Sequence, residues 1–314
     1  MKPALRRWLE RALLVAGVAL AAYMISRFPL SQIADACLQV GWAMLIPPLL
    51  CLGWFAAQAR ALQHLLRGAV PLAVLYWNRL VGEGYNMLLP AAGMGGEPVK
   101  LAQIARYVPM EAGVVALIND RLIENALGLL YSAAVIAAAA FVLPDVSSAL
   151  RTSMITYGAG AGAVGLVMAT LIFTDVTGRV GGRIARWLGA DTLGGQRLPL
   201  PDVARAFLWS AIGRALGFLE VAVLFWVLDL QVTVWNVIFT TAALAAAGFV
   251  GGVIPQNAGV QEATTVGVFE LLHFSGPAAI AFALARRGRM LVTSVLGVGL
   301  HVAFGGKLRH ERAS

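Results

Sequence analysis

The feature that most restricts this chain is a series of apolar runs, at 41–66, 155–174, 206–228 and 277–304 among others. Each is close to the roughly 20 residues that an α-helix needs to cross about 30 Å of hydrocarbon. Inside lipid every backbone N–H and C=O must find an internal partner, so such runs are helices; the alternation of a β-barrel is absent. Composition agrees: 59% of the residues are hydrophobic and only 13% charged, where a soluble domain carries about a quarter charged. The expected fold is therefore an all-α polytopic membrane protein, with 1–314 forming a single integral membrane domain. The net charge of +8 does not point to nucleic acid, because the basic residues gather at the ends of apolar runs, as the positive-inside rule requires.

Taken in order, a basic lead (Lys2, Arg6, Arg7, Arg11) precedes a first apolar run at 12–25. It reads as a retained helix or as a signal peptide, and the continuing hydrophobicity favours the helix. A second span at 41–66 carries Pro47-Pro48, expected to kink it. A short polar link is expected at 144–153 and a further span at 155–174. Gly160 to Gly165 in that span matches GxGxxG, but without a preceding strand it reads as small-residue helix packing. The longest polar segment, 175–205, holds Arg179, Arg183 and Arg186 at helical spacing beside Trp187. That fits either an amphipathic helix on a lipid surface or a solvated basic loop. Cys37 and Cys51 show no metal or disulfide spacing, and four scattered histidines add nothing.

Two stretches share one grammar. Pro90 precedes Glu97 by seven residues, and Arg121 follows Glu97 by 24; Pro255, Glu262 and Arg286 repeat both intervals at a constant offset of 165. Twelve residues of helix rise about 18 Å, roughly half the membrane core. The spacing therefore predicts a helix entering to mid-depth, a Pro/Gly break, a short returning helix, and a long crossing helix with its arginine halfway. Gly93, Gly95, Gly96 and Gly259 suit irregular backbone, which survives at that depth only when protein or a watery cavity covers it.

With the N-terminus in the cytoplasm, Arg60, Arg67, Arg179, Arg183, Arg186, Arg197, Arg205, Lys307, Arg309 and Arg312 join the lead on the inside, while only Arg27 and Arg151 face out. Counting crossings then has the first motif entered from the cytoplasm and the second from outside. This gives about six full transmembrane helices plus two re-entrant helical hairpins in an inverted-topology repeat, as in many secondary transporters. Repeat A is 41–143 and repeat B is 206–305, joined by a span and a basic cytoplasmic loop within 155–205. Both termini are placed in the cytoplasm.

Charged groups at mid-membrane cost about 2.5–3.5 kcal/mol each on insertion scales. Glu97 and Arg121, and likewise Glu262 and Arg286, either lock their hairpins as ion pairs or engage a lipid headgroup. Lys100, Asp120 and Glu124 read as accessory, and Arg79, Glu83, Arg214 and Glu220 as candidate cavity residues.

At these residues the chain resembles the flippase-like integral membrane domain of lysylphosphatidylglycerol synthases, which also occurs alone in bacteria and archaea. Stand-alone relatives include a hopanoid-biosynthesis-associated membrane protein. The family's LP…GGEPVK element stands here as Leu89-Pro90 and Gly95 to Lys100, followed by Arg121. The later P…GG.G..E element runs from Pro255 to Glu262, with Asn257-Ala258 where relatives carry glycines. The resemblance implies movement of a lipid between leaflets of the bacterial inner membrane. The substrate-binding set it suggests is Glu97, Arg121, Glu262, Arg286, Gly95, Gly96, Lys100, Gly259 and Asn257. An enzymatic role is not expected, since no GxSxG elbow, HExxH helix or paired-aspartate motif is present, and no cofactor or metal is expected. The expected partner is a membrane lipid substrate, with lipid-biosynthesis enzymes as further partners. The alternatives are a non-transporting partner of a lipid-synthesis complex and an intramembrane lipid-modifying enzyme.

Overall fold

The computed structural model describes residues 38, 41–88, 95–144, 146–189, 198–254, 257 and 259–304. The expected first span at 12–25, Pro90 and Pro255 fall outside them. Among the described residues the chain is helical, with turns and no strand. Ten α-helices follow one another: α1 (Ile46–Leu65), α2 (Leu72–Leu88), α3 (Glu97–Ile104), α4 (Met110–Val142), α5 (Ser148–Ile172), α6 (Val176–Trp187), α7 (Leu200–Val227), α8 (Val234–Val250), α9 (Val260–Leu271) and α10 (Gly276–Phe304). Among the described residues four segments are long and apolar enough to cross a membrane: Gly41–Leu65, Met110–Val142, Ser148–Ile172 and Leu200–Val227. At 29 residues α10 has the length, but it carries Arg286, Arg287 and Arg289 and is not one of the four.

Local chemistry corrects several expected boundaries. Pro47-Pro48 do not kink α1. Pro47 lies in its first turn, after a 3₁₀ turn at Gly41–Leu45, where a missing N–H leaves no hydrogen bond broken. The polar link at 144–153 is shorter than expected because Ser147 caps α5: its hydroxyl accepts from the Leu150 N–H at 3.3 Å. Arg151, Thr152 and Ser153 are consequently helical and exposed. Ser147→Ala should cost about 1 kcal/mol, as N-cap removals do, measurable as a lower unfolding midpoint in detergent. The GxGxxG match is helical packing: at its last glycine, Gly165, a Cβ would come within 2.9 Å of the Leu130 side chain on α4.

The order of elements recurs. A 17-residue helix (α2), a short helix (α3) and a long one (α4) are matched by a 17-residue helix (α8), a short one (α9) and a long one (α10). Packing is reciprocal: α2 lies on α10 and α8 on α4, while α1 and α7, which precede the two sets, pack on each other.

Two hydrophobic clusters mark opposite ends of α4 and α7. One joins the end of α1 (Leu62, Leu65) to Leu75 near the start of α2, Ile104 at the end of α3, Ala116 of α4 and Val203 of α7. The other joins Leu143, Leu228, Val237 near the start of α8, Phe269 near the end of α9 and Ala278 of α10. Within it Phe225, Phe269, Phe274 and Phe282 pack edge to face and tilted, with centroids 5.4–5.8 Å apart, arrangements that add about 0.5–1.5 kcal/mol per pair. The α2 and α3 ends thus meet at one end of the bundle, and the α8 and α9 ends at the other.

Candidate functional site

Each break in the helical order places a glutamate in the first turn of a short helix. Where α2 gives way to α3, the Asn86 side chain accepts the Gly96 N–H at 2.7 Å. A Cβ on Gly96 would lie 2.0 Å from the Gly82 carbonyl oxygen, so only glycine permits this approach. Glu97 is the first residue of α3. Before α9, Asn257 and Gly259 adopt left-handed backbone, with φ of 50° and 77°. Asparagine is the side chain after glycine that best tolerates this region, which suits Asn257 to the position. Glu262, at the third position of α9, reaches back to accept the Gly259 N–H at 2.9 Å, half of a capping box.

Each glutamate then grips an arginine at the twelfth residue of the next long helix. Arg121 of α4 donates to Glu97 Oε1 from Nε at 2.9 Å and from Nη2 at 2.5 Å. Its Nη1 reaches Glu124 at 3.3 Å, and Lys100 Nζ holds the same Glu97 oxygen at 3.0 Å. Behind them Arg79 pairs with Asp120 and stands 3.6 Å from Glu124. In the second set the partner is not the expected Arg286. Arg287 donates to Glu262 from Nε at 2.6 Å and from Nη2 at 3.1 Å, and to the Asn257 carbonyl at 3.3 Å. The interval of 24 misleads because α3 starts at its glutamate and α9 two residues before its own, and the helices differ in length. Counted from the start of the long helix, Arg121 and Arg287 coincide.

Arg286, turned away from Glu262, meets Glu220 of α7 at 3.5 Å, and Arg289 meets the same carboxylate at 3.2 Å. These groups face a cavity of about 320 Å³ among α1, α4, α7, α8 and α10. Arg121, Arg214, Arg286 and Arg289 line it, opposed by Glu124 and Glu220, with Gln58, Asn125, Ser210 and Thr241 between them. Arg214 Nη2 donates to the Glu124 backbone carbonyl at 3.1 Å. Arg214 Nε, Arg286 Nε and Nη1, Arg289 Nε and the Ser210 hydroxyl are buried without a hydrogen-bond partner among the described residues.

Of the nine residues singled out by sequence, the cavity brings together Arg121 and Arg286. Glu97 and Lys100 stand behind Arg121, whereas Glu262, Asn257 and Gly259 surround Arg287; Gly95 and Gly96 form the buried turn before α3. Arg214 and Glu220 line the cavity, Arg79 sits behind it, and Glu83 contacts Asn86. Sequence reasoning missed Arg287 and Arg289. The run Arg286-Arg287-Gly288-Arg289 was the available signal, since three cations in four residues of an otherwise apolar helix call for more than one counterion.

A family model described as the lysylphosphatidylglycerol synthase TM region matches residues 11–297. Neither a curated protein nor a solved structure matches the chain.

Proposed function

We propose that this chain, which belongs to the family of lysylphosphatidylglycerol synthase TM regions, passes a lipid, either an anionic phospholipid or a hopanoid-type lipid, between the leaflets of the bacterial inner membrane. Membership and composition make it a multi-pass membrane protein with a lipid-related role. The observation that carries the finer reading is the cavity, where four arginines face two glutamates. Buried cations in such excess are costly unless an anion joins them. Donors left without partners cost about 1–3 kcal/mol each, and a phosphate or carboxylate accepts from several arginines at once. At about 320 Å³ the cavity is at the small end of the roughly 300–1,000 Å³ typical of ligand sites. It has room for a headgroup, with acyl chains left in the surrounding lipid.

The architecture offers a route. In this reading α2–α3 and α8–α9 are re-entrant hairpins of an inverted repeat, A at 41–143 and B at 206–305. What supports it is the recurring helix order, the reciprocal packing and the gathering of the hairpin ends at opposite ends of the bundle. Alternate opening at either end would expose one fixed site to each leaflet in turn. The basic end, with Arg67, Arg106 and Arg205, is the cytoplasmic one. The reading assigns transport and no catalysis.

The test is leaflet exchange of labelled phosphatidylglycerol in proteoliposomes. Arg286→Ala and Arg214→Ala should each slow exchange by at least tenfold, the equivalent of about 1.4 kcal/mol, while remaining monodisperse in detergent. Exchange at the parental rate in both variants would remove transport through this cavity, and lipid turnover by the purified protein would replace it with catalysis.

A further inference from the structure

Away from the cavity, α6 presents three distinct faces. Thr177, Gly178, Gly181, Gly182 and Ala185 are buried. They form the side packed on α4, so close that a Cβ on Gly181 would stand 2.5 Å from the Val115 side chain. The opposite surface is split lengthwise at 100° per residue. Arg179, Arg183 and Arg186 make one edge, and Val176, Val180, Ile184 and Trp187 the other; all seven are exposed, Trp187 at 84%. Among the described residues no carboxylate pairs with any of the three arginines.

Position narrows what such a surface meets. The 25-residue α5 rises about 37 Å, more than the hydrocarbon core, so its end emerges among the headgroups. Only Phe173, Thr174 and Asp175 separate that end from α6. The start of α4, on which α6 rests, lies at the same end of the bundle, with the exposed Arg67 and Arg205 nearby in the fold. A helix held there, with an apolar edge beside a basic one, has the layout of an interfacial helix. The solvated-loop alternative raised by the sequence accounts neither for the helix nor for its exposed Trp, Ile and Val.

We propose that α6 is an anionic-lipid binding surface. Its Val180–Ile184–Trp187 edge sinks into the acyl boundary of the cytoplasmic leaflet, and Arg179, Arg183 and Arg186 hold phosphate headgroups beside it. The occupant is lipid rather than an acidic protein, because an apolar edge runs alongside the cations at the depth where α5 leaves the membrane. This inference does not depend on transport through the cavity.

The experiment uses the full chain in phosphatidylcholine vesicles, with a fluorophore on Val180→Cys in a background lacking Cys37 and Cys51. Spin-labelled phosphatidylglycerol and spin-labelled phosphatidylcholine are compared as quenchers. A basic residue at an anionic surface favours the anionic lipid by about fivefold, so quenching should favour phosphatidylglycerol by at least that factor. The preference should fall with salt and vanish when all three arginines become glutamine. Those exposed positions leave the packed glycine face untouched, so the variant folds. Equal quenching by both lipids would overturn the charge recognition. Quenching by aqueous iodide but by neither lipid would overturn the membrane surface altogether, and would do so whatever the rate of leaflet exchange.

Discussion

Glu97→Ala should destabilise the folded protein by about 3–5 kcal/mol, the range for removing one partner from a buried ion pair. The reason lies in Lys100, whose side chain is 2% exposed and whose ammonium contacts Glu97 at 3.0 Å. Among the described residues no other carboxylate reaches it. With Glu97 gone, a fully buried cation remains unpaired and Arg121 keeps only its longer contact to Glu124. The paired change Glu97→Gln with Lys100→Met should recover most of the loss, because replacing both members of a buried pair by groups of similar shape is close to neutral. Denaturant unfolding in detergent measures both. A loss below about 1 kcal/mol for Glu97→Ala, no more than an average substitution, would mean that the cluster is held by something other than these charges.

Gly96→Ala should be at least as damaging, for a reason unrelated to charge. The added Cβ would lie 2.0 Å from the Gly82 carbonyl oxygen and 2.7 Å from its carbon. Both neighbours are backbone, so neither can rotate away and the start of α3 must lift off α2. Overpacking typically costs about 1–3 kcal/mol where side chains can yield; here the cost should exceed that range. The displacement would also carry Glu97 away from Arg121. The expected outcome is loss of monodisperse protein on size exclusion, with leaflet exchange abolished in whatever folds. Gly160→Ala, at a position with open space around it, should be neutral or slightly stabilising, which separates steric conflict from a general intolerance of side chains at membrane glycines.

The four long apolar helices and the two interruptions in the helical order were legible because hydropathy and proline/glycine punctuation act over short stretches of chain. Arg121 was legible as the partner of Glu97 for the same reason: one helix start separates them, so the interval transmits geometry. Arg287 was not, because adjacent arginines are interchangeable on paper. Only the actual start of α10 decides that residue 287 faces Glu262 while residue 286 turns toward Glu220. The extended starts of α5 and α7 were hidden by polar residues that hydropathy assigns to loops, although Ser147 at least announces a cap. The lining contributed by Arg214, Ser210 and Thr241 needed the packing of α1, α4 and α7 together, which no local interval encodes.

The buried ion pairs seen among the described residues close within each half of the chain, whereas the helix packing crosses between halves. Arg79, Lys100 and Arg121 meet Glu97, Asp120 and Glu124; Arg286, Arg287 and Arg289 meet Glu220 and Glu262. During synthesis the early half can therefore enter the bilayer with its charges already compensated. Glu220 is less fortunate. Its counterions lie 66 residues downstream (286 − 220), so at about 5–20 residues per second the nascent chain carries that carboxylate for several seconds before they emerge. Among the described ion pairs this is the longest such interval, against 41 residues (120 − 79) between Arg79 and Asp120, and it falls in the later half.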